Sequence, residues 1–476
     1  MKKPSGLPIS DAEWQDTPTL QMLVVKLWER LRQLEQRVTQ LEQQQGNPSK
    51  GSSGQTAKRA NASTASVPRK RSKRRSSGRS PGAQPGHEGH GRTLLPVEQV
   101  QEIIPVKPEA CRHCGLPLCG DDVHRRRHQV VEIPPVQVRV TEYQLHTLRC
   151  VHCETLTEAS WPQGVPRGAF GPGVQAWVGL LSGAYRMSKR NIKALMSDAF
   201  GIELALGTIS QLERHVCEAV ASAVGKAGAY VRQQLAVNID ETSWRERRTK
   251  AWLWTATTTL VTVFAIRLSR GAEVARELLG DVATAVVGSD RYTVYSYLSL
   301  RHRQLCWAHL ERTFEAFVER GGEAAGIGKI LIEHVETLFS WWHRVRDGTL
   351  ERSSFQTYVS TLRHQVHMQL LYGTLLADEQ TAATCTNLLK VEAALWTFVR
   401  KEGVEPTNNA AERALRHGVI WRHTSFGTHS PDGSRFVERM LTVRATLRQQ
   451  ERNVLHFLTQ ACQAVLHNQP PPSLLP

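Results

Sequence analysis

From about residue 233 the chain lays down three closely spaced apolar β-type runs, then one helical run, then a fourth apolar run. Few folds accept that order. The β-type runs cover residues 235–240, 251–256 and 262–267, the helical pattern covers 272–279, and the fourth run covers 284–289. β-Branched and aromatic residues dominate the runs, as a half-buried or buried sheet requires. Asp240 closes the first run and Asp290 follows the fourth. Glu412 falls in the first turn of a helix expected over residues 410–417.

Two strand-borne aspartates and one helix-borne glutamate form a hard oxygen-donor set that suits Mg²⁺ or Mn²⁺. The β-β-β-α-β order with acids at these points is the ribonuclease-H-like arrangement. Adjacent strand residues face opposite sides, so only one of Asp240 and Glu241 can serve the site. Asp240 shares its face with Asn238, whereas Val237 and Ile239 turn to the core, so Asp240 is the choice. Glu241 is left as a residue near the substrate. A strand-end turn is the plain alternative for Asp240, and a capping box, Asn409-Ala-Ala-Glu412, is the plain alternative for Glu412. Arg413 and Arg416 flank Glu412 and suit a phosphate-bearing site. Glu405 and Glu438 are the substitutes for Glu412. Cys306-Trp-Ala-His309 reads as a buried pair one helical turn apart that orients the following helix.

Two Cys-x-x-Cys pairs, Cys111-Arg-His-Cys114 and Cys150-Val-His-Cys153, lie in a β-rich stretch, residues 105–155. Each pair offers two thiolates on one side of a turn, and Zn²⁺ takes four such ligands in a tetrahedron. With all four positions filled by protein, this one zinc ion is expected to be structural. Cys119, His113 and His152 are lesser candidates. The strictly alternating residues 136–140 suggest a strand between the pairs. Such cysteine usage belongs to a reducing compartment.

Residues 18–45 carry Leu20, Leu27, Leu34 and Leu41 at seven-residue spacing, with Val24, Leu31 and Val38 between them. That is the seam of a short coiled coil, and it implies a homo-oligomer. Residues 46–104 form a basic linker. Residues 50–92 hold eleven Lys or Arg against one acid, Glu88, and so supply +10 of the net charge of +16. Arg69, Lys70, Arg71, Lys73, Arg74 and Arg75 form its densest run, which can lie on nucleic-acid phosphates. Residues 170–226 read as helical, with two helices around Gly201 that suit a helix-turn-helix. The α/β region spans 233–445 with a helical insertion at about 306–400, and a C-terminal helix and tail fill 446–476. Mean hydropathy of -0.36 indicates a soluble protein, and the longest apolar runs are far too short to span a bilayer as a helix. The amino terminus lacks the apolar core of a secretory signal, so a cytoplasmic protein is expected.

Taken together these motifs resemble the insertion-sequence-66 family of bacterial transposases. The resemblance rests on the leucine-repeat helix, Gly-Ala-Gln-Pro-Gly-His-Glu-Gly-His90, both cysteine pairs, Asn-Ile-Asp240-Glu-Thr, Asp290-Arg-Tyr, Cys306-Trp-Ala-His309 and Thr407-Asn-Asn-Ala-Ala-Glu412-Arg-Ala-Leu-Arg416. Arg291 departs from it, standing where a small residue is expected. The resemblance implies a DDE-type recombinase that binds the terminal inverted repeats of its element. Asp240, Asp290 and Glu412 would hold two Mg²⁺ or Mn²⁺ ions about 4 Å apart. They would serve 3′-end cleavage and strand transfer into target DNA. Accessory proteins of the same element are further expected partners, and association with the nucleoid is expected when DNA is bound.

Overall fold

The computed structural model describes residues 92–119, 124, 126–280 and 285–476. The coiled coil expected over 18–45 and the basic run from Arg69 to Arg75 lie outside the described residues. The described chain falls into two compact units, one ending at Gln137 and one beginning at Val138.

In the first unit the chain around Leu95 is tied to Gln129 and Arg127. The Leu95 amide donates to Gln129 Oε1 at 2.8 Å, and Arg127 Nη2 donates to the Leu95 carbonyl at 2.7 Å. A single 3-10 turn, Val97–Gln99, precedes the Cys111–Cys114 turn. The strand expected over 136–140 does not form. Val136, Val138 and Val140 are 52%, 44% and 87% exposed. Alternation marks a strand only where one face finds a core, and these valines find none. The second cysteine turn instead sits inside a small hairpin of β1 (Thr147–Arg149) and β2 (Leu156–Glu158).

The helical region expected over 170–226 is present. α1 (Pro172–Gly179) runs into a π-helical segment, Leu180–Ala184. α2 (Lys189–Phe200) begins where the Asn191 amide donates to Ser188 Oγ at 3.2 Å. It ends at Gly201, whose φ of 64° is the left-handed conformation that glycine adopts without penalty. α3 (Leu206–Ala219) packs back on α2 through Ile192, Met196, Ile209 and Leu212. α4 (Ala221–Arg232) then leads into the sheet.

The sheet has five strands in the order β5-β4-β3-β6-β7. β3 (Ala236–Glu246), β4 (Thr249–Thr257) and β5 (Thr262–Arg267) form an antiparallel meander. α5 (Ala272–Leu279) carries the chain back to β6 (Val286–Ser289), which runs parallel to β3 on its other side. β7 (Arg303–Leu305) extends the parallel half. The first four strands and α5 match the sequence pattern. β7 is a strand the pattern does not show, because its buried residues include Arg303 and Gln304.

A helical insertion follows, as expected for about 306–400. Its elements are α6 (Trp307–Arg320), α7 (Gly322–Arg346), α8 (Arg352–Gly373), α9 (Glu379–Lys390) and α10 (Thr397–Arg400). It has its own aromatic core, with Trp307 and Trp396 ring centroids 4.9 Å apart and Trp342 and Phe398 5.3 Å apart. α11 (Asn409–Ser425), α12 (Pro431–Gln449) and α13 (Val454–Leu466) close the chain around the sheet.

α12 also solves the problem of the edge strand β5. The amides of Thr262, Phe264 and Ile266 donate to Thr446 Oγ1 (3.1 Å), Thr442 Oγ1 (3.0 Å) and Glu438 Oε1 (2.5 Å). Four helical residues rise about 6 Å, and two strand residues advance about 6.6 Å. One face of α12 therefore matches every second outward amide of β5, which leaves that row unavailable for pairing with another chain. Thr442 is fully buried. Thr442→Val keeps its shape and orphans the Phe264 amide, at an expected cost of about 1–3 kcal/mol. Chemical denaturation should show this as a lower midpoint at unchanged slope, and an unchanged midpoint would remove the edge-capping role.

Candidate active site

The register of β3 and β6 explains how two distant aspartates meet. Asn238 is paired with Gly288 in the parallel ladder, and the pairing ends there. Continued by two residues, the same register brings Asp240 level with Asp290. Asp240 itself lies within β3 and not at its end, because β3 runs on to Glu246 as a hairpin with β4. It stands at the end of the parallel pairing only. Along β3 burial alternates, with Val237, Ile239 and Glu241 buried and Asn238 and Asp240 half-buried, so Asp240 is on the face expected for it.

Glu241 is buried on the opposite face from Asp240. Its side chain is 1% exposed and pairs with Arg270 Nη2 at 2.8 Å. The Tyr295 hydroxyl donates to its other oxygen. This buried pair fastens the loop after Asp290, which carries Tyr295, under β3. From the other side, buried Arg303 donates through Nη2 to the Asp290 carbonyl at 2.9 Å. The Tyr292 amide donates to Asp290 Oδ1, also at 2.9 Å. Arg291, the departure in sequence, turns its guanidinium onto Thr313 Oγ1 of α6 at 3.1 Å. The loop thus absorbs it without filling the face that Asp290 shares with Asp240.

Glu412 reaches this region through a hydrogen-bonded relay. The Cys306 amide donates to the Ser289 carbonyl at 3.0 Å, one residue before Asp290. The Asn408 amide donates to Cys306 Sγ at 3.2 Å. Asn408 Nδ2 donates to the Ile239 carbonyl at 2.9 Å, one residue before Asp240. Cys306 and Asn408 therefore lock the residues preceding both aspartates to the start of the Glu412 helix. Asn408, not Asn409, is the N-cap residue of α11, and no side chain caps that end. The capping-box alternative for Glu412 falls with it.

The Glu412 carboxylate faces His309 instead, with 3.4 Å between Oε1 and Nδ1, and Arg312 at 3.6 Å. Glu412 Oε1, His309 Nδ1 and Asn408 Oδ1 are buried atoms without hydrogen-bond partners. One donor atom from each of Cys306, His309 and Glu412 lies within 4.8 Å of the other two. Sequence spacing sets Cys306 and His309 apart from the acids, whereas the fold joins them to Glu412. Burial pushes the Cys306 thiol up, so at neutral pH it is a protonated group accepting backbone amides. Its effect is to hold α6 and α11 together.

The substitutes for Glu412 are spent elsewhere. Glu438 Oε1 serves the edge of β5 and Arg267, and Glu405 accepts from Trp342 Nε1 at 3.2 Å. Arg413 and Arg416 are exposed on the outer side of α11.

The electrostatics follow from this geometry. Burial, then the charges of Glu241, Asp290 and Glu412, raise the Asp240 carboxyl to about 7. Among the described residues no cation bonds the side chain of Asp240 or Asp290. Crowded carboxylates at one strand junction, beside buried acceptors that lack a partner, fit a divalent cation.

The cysteine turns are alike, each taken by itself. The Cys111 amide donates to the Leu116 carbonyl (2.8 Å) and the Gly115 amide donates to the Cys111 carbonyl (2.9 Å). The Cys150 amide donates to the Thr155 carbonyl and the Glu154 amide to the Cys150 carbonyl, both at 2.9 Å. Gly115 and Glu154, each directly after the second cysteine, have φ of 75° and 56°. Backbone hydrogen bonds at Cys114 and His113 lower the Cys111 thiol, and Thr155 lowers that of Cys153. Both shifts favour thiolates, the form that binds metal.

Two Cys-x-x-Cys turns thus precede an α/β domain whose family match, with that of the turns, implies a DNA-processing enzyme of the transposase class. The chain belongs to the family described as Transposase IS66 family, whose model matches residues 167–435. Residues 108–154 match the zinc-finger binding domain of transposase IS66, and residues 10–93 match a family of unknown function (DUF6444). No curated protein matches the chain. Among the described residues, no helix is long and apolar enough to cross a membrane.

Proposed function

We propose that this protein cleaves the 3′ ends of its insertion sequence at the terminal inverted repeats and joins them to target DNA, using Asp240, Asp290 and Glu412 on a ribonuclease-H-like domain. The observation that carries the reading is the register that brings Asp240 level with Asp290 where β3 and β6 part, with the start of the Glu412 helix tied to both segments through Cys306 and Asn408. Two Mg²⁺ or Mn²⁺ ions held by the three carboxylates would activate a water or 3′-hydroxyl and stabilise the leaving 3′-oxygen. The chain's own residues hold the geometry. Arg303 clamps the Asp290 carbonyl, Asn408 and Cys306 align the three acid-bearing segments, and His309 faces Glu412. No Ser or Tyr nucleophile is needed.

One zinc ion on Cys111, Cys114, Cys150 and Cys153 is proposed from their spacing, from the shared form of the two turns and from the family match. DNA is proposed to follow Arg413 and Arg416, the run from Arg69 to Arg75, and the α2–α3 helical pair. A self-pairing coiled coil over 18–45, accessory proteins of the element, and a cytoplasmic, nucleoid-associated location complete the proposal.

The test is incubation of the purified protein with inverted-repeat DNA and Mg²⁺ or Mn²⁺. Nicks at the 3′ ends and joined products are expected. Binding without either product would leave a DNA-binding relative that lacks catalysis, and nicks alone would leave a nuclease.

Metal binding should also report the Asp240 proton. A carboxyl that titrates near 7 must lose its proton to the ion at lower pH. Mg²⁺ affinity should therefore rise as pH rises towards about 7 and level off above it. Calorimetry in buffers of different ionisation enthalpy should show proton release at pH 6. Equal heats in all buffers would detach Asp240 from the metal.

A further inference from the structure

A group of basic side chains lies away from the acids in the second unit, where the π-helical segment, α11 and α12 meet. A Cβ on Gly183 would stand 2.6 Å from Met440, so the segment rests directly on α12. Arg444 is one helical turn beyond Met440 on the same helix, and Arg448 one turn further. Arg186 follows the segment in a left-handed backbone conformation, with φ of 59°. His417, on the helix that carries Glu412, lies against the Ala184 carbonyl.

His417 has Arg444 and Arg186 for neighbours, and Arg444 has Arg448, Arg186 and the Tyr185 hydroxyl. Arg186 Nη1 and His417 Nε2 are both buried and without a hydrogen-bond partner. Among the described residues, no ion pair or hydrogen bond engages the side chains of Arg186, Arg444 and Arg448. Burial, then the charges of Arg444 and Arg186, push His417 down to about 4. Burial, then Arg448 and Arg186, depress Arg444. Gathering guanidinium groups in partial burial without a counter-charge costs stability. Arginine forks match the oxygens of a phosphate.

We propose that Arg186, His417 and Arg444, with Arg448 at the rim, form an anion site that takes one backbone phosphate of the DNA. The inference rests on the transposase reading and deepens it. Ser188, which starts the helical pair α2–α3, is two residues from Arg186, and His417 is five residues from Glu412. A phosphate held here would fix DNA between the helical pair and the helix of the third acid.

The experiment uses the full-length zinc-loaded protein, the variants Arg186→Gln, Arg444→Gln and their double, and Arg346→Gln on the surface of α7 as a charge control. Inorganic phosphate should raise the melting temperature of the wild type and the control above the effect of NaCl at equal ionic strength. The double variant should lose that increment. Without any anion, Arg444→Gln should melt higher than the wild type, because it relieves the crowding. On inverted-repeat duplex the double variant should flatten the plot of log affinity against log salt by about 0.9 for the lost phosphate contact. Variants that melt lower and keep both the phosphate increment and the salt slope would overturn the site. A lost phosphate increment with an unchanged slope would overturn the DNA assignment and leave a site for free phosphate. A wild type that binds no DNA would sink the transposase reading itself, and the phosphate arm alone would then decide whether an anion binds.

Discussion

Replacing Asp240 or Asp290 by Asn, or Glu412 by Gln, is expected to abolish cleavage and joining while inverted-repeat binding persists. Each change keeps volume and polarity and removes one negative charge from a site proposed to hold two divalent ions. Metal stabilisation of charge in phosphoryl transfer is worth several kcal/mol, so a loss of roughly 10³-fold or more follows at 1.36 kcal/mol per tenfold. The same variants separate catalysis from folding. Asp240 has its carboxyl raised to about 7, against about 3.9 in an unfolded chain. Its protonated form therefore supports the fold fully below about pH 4, and that support is lost as pH rises through about 7. At pH 8 without metal, Asp240→Asn should melt above the wild type, and added Mg²⁺ should narrow or reverse the gap. A folded Glu412→Gln protein that nicks at near-normal rate would return Glu412 to a structural role.

Exchange of any one of Cys111, Cys114, Cys150 or Cys153 for Ser is expected to release zinc and unfold the module over 105–155. The described part of that module has almost no apolar core, with Val130, Ile133, Val140 and Leu148 all at least 70% exposed. Metal binding must then supply the folding free energy, and structural zinc contributes roughly 10–16 kcal/mol in zinc-finger peptides at neutral pH. Metal analysis should give about one zinc ion per wild-type chain, and limited proteolysis should cut the variants within the module. Full zinc occupancy in a Cys111→Ser/Cys150→Ser double variant would take these cysteines out of the ligand set.

Several features were legible because their signals are local. The two-residue period of β3 identifies the face of Asp240 and places Glu241 on the other. The helices α2 and α3 were legible from the positions of Ser188 and Gly201. The Cys-x-x-Cys turns needed only their spacing, since four residues suffice to aim two thiols to one side.

Other features misled or stayed silent for equally physical reasons. Residues 136–140 alternate as a strand does, yet no partner strand or core receives them. β7 is buried and polar, a combination that hydropathy reads as a loop. Asn409 has the spacing of a capping box, but Asn408 is drawn into the sheet by Ile239, and that tertiary bond sets the helix start. Glu438 looked like a spare catalytic acid, and only its place beside β5 shows that it satisfies a backbone amide.

The sequence by itself determined the family, the element order, the two strand faces and the residue types able to bind metals, because each is written in spacing along one segment. The tertiary structure alone decided which segments meet. Asp240 and Asp290 come level through the parallel register of β3 and β6, Glu412 reaches them through Cys306 and Asn408, and Arg186 comes to His417 and Arg444 where three helical elements cross. Each of these contacts joins residues about 50 to more than 200 positions apart, and no local period encodes such a distance.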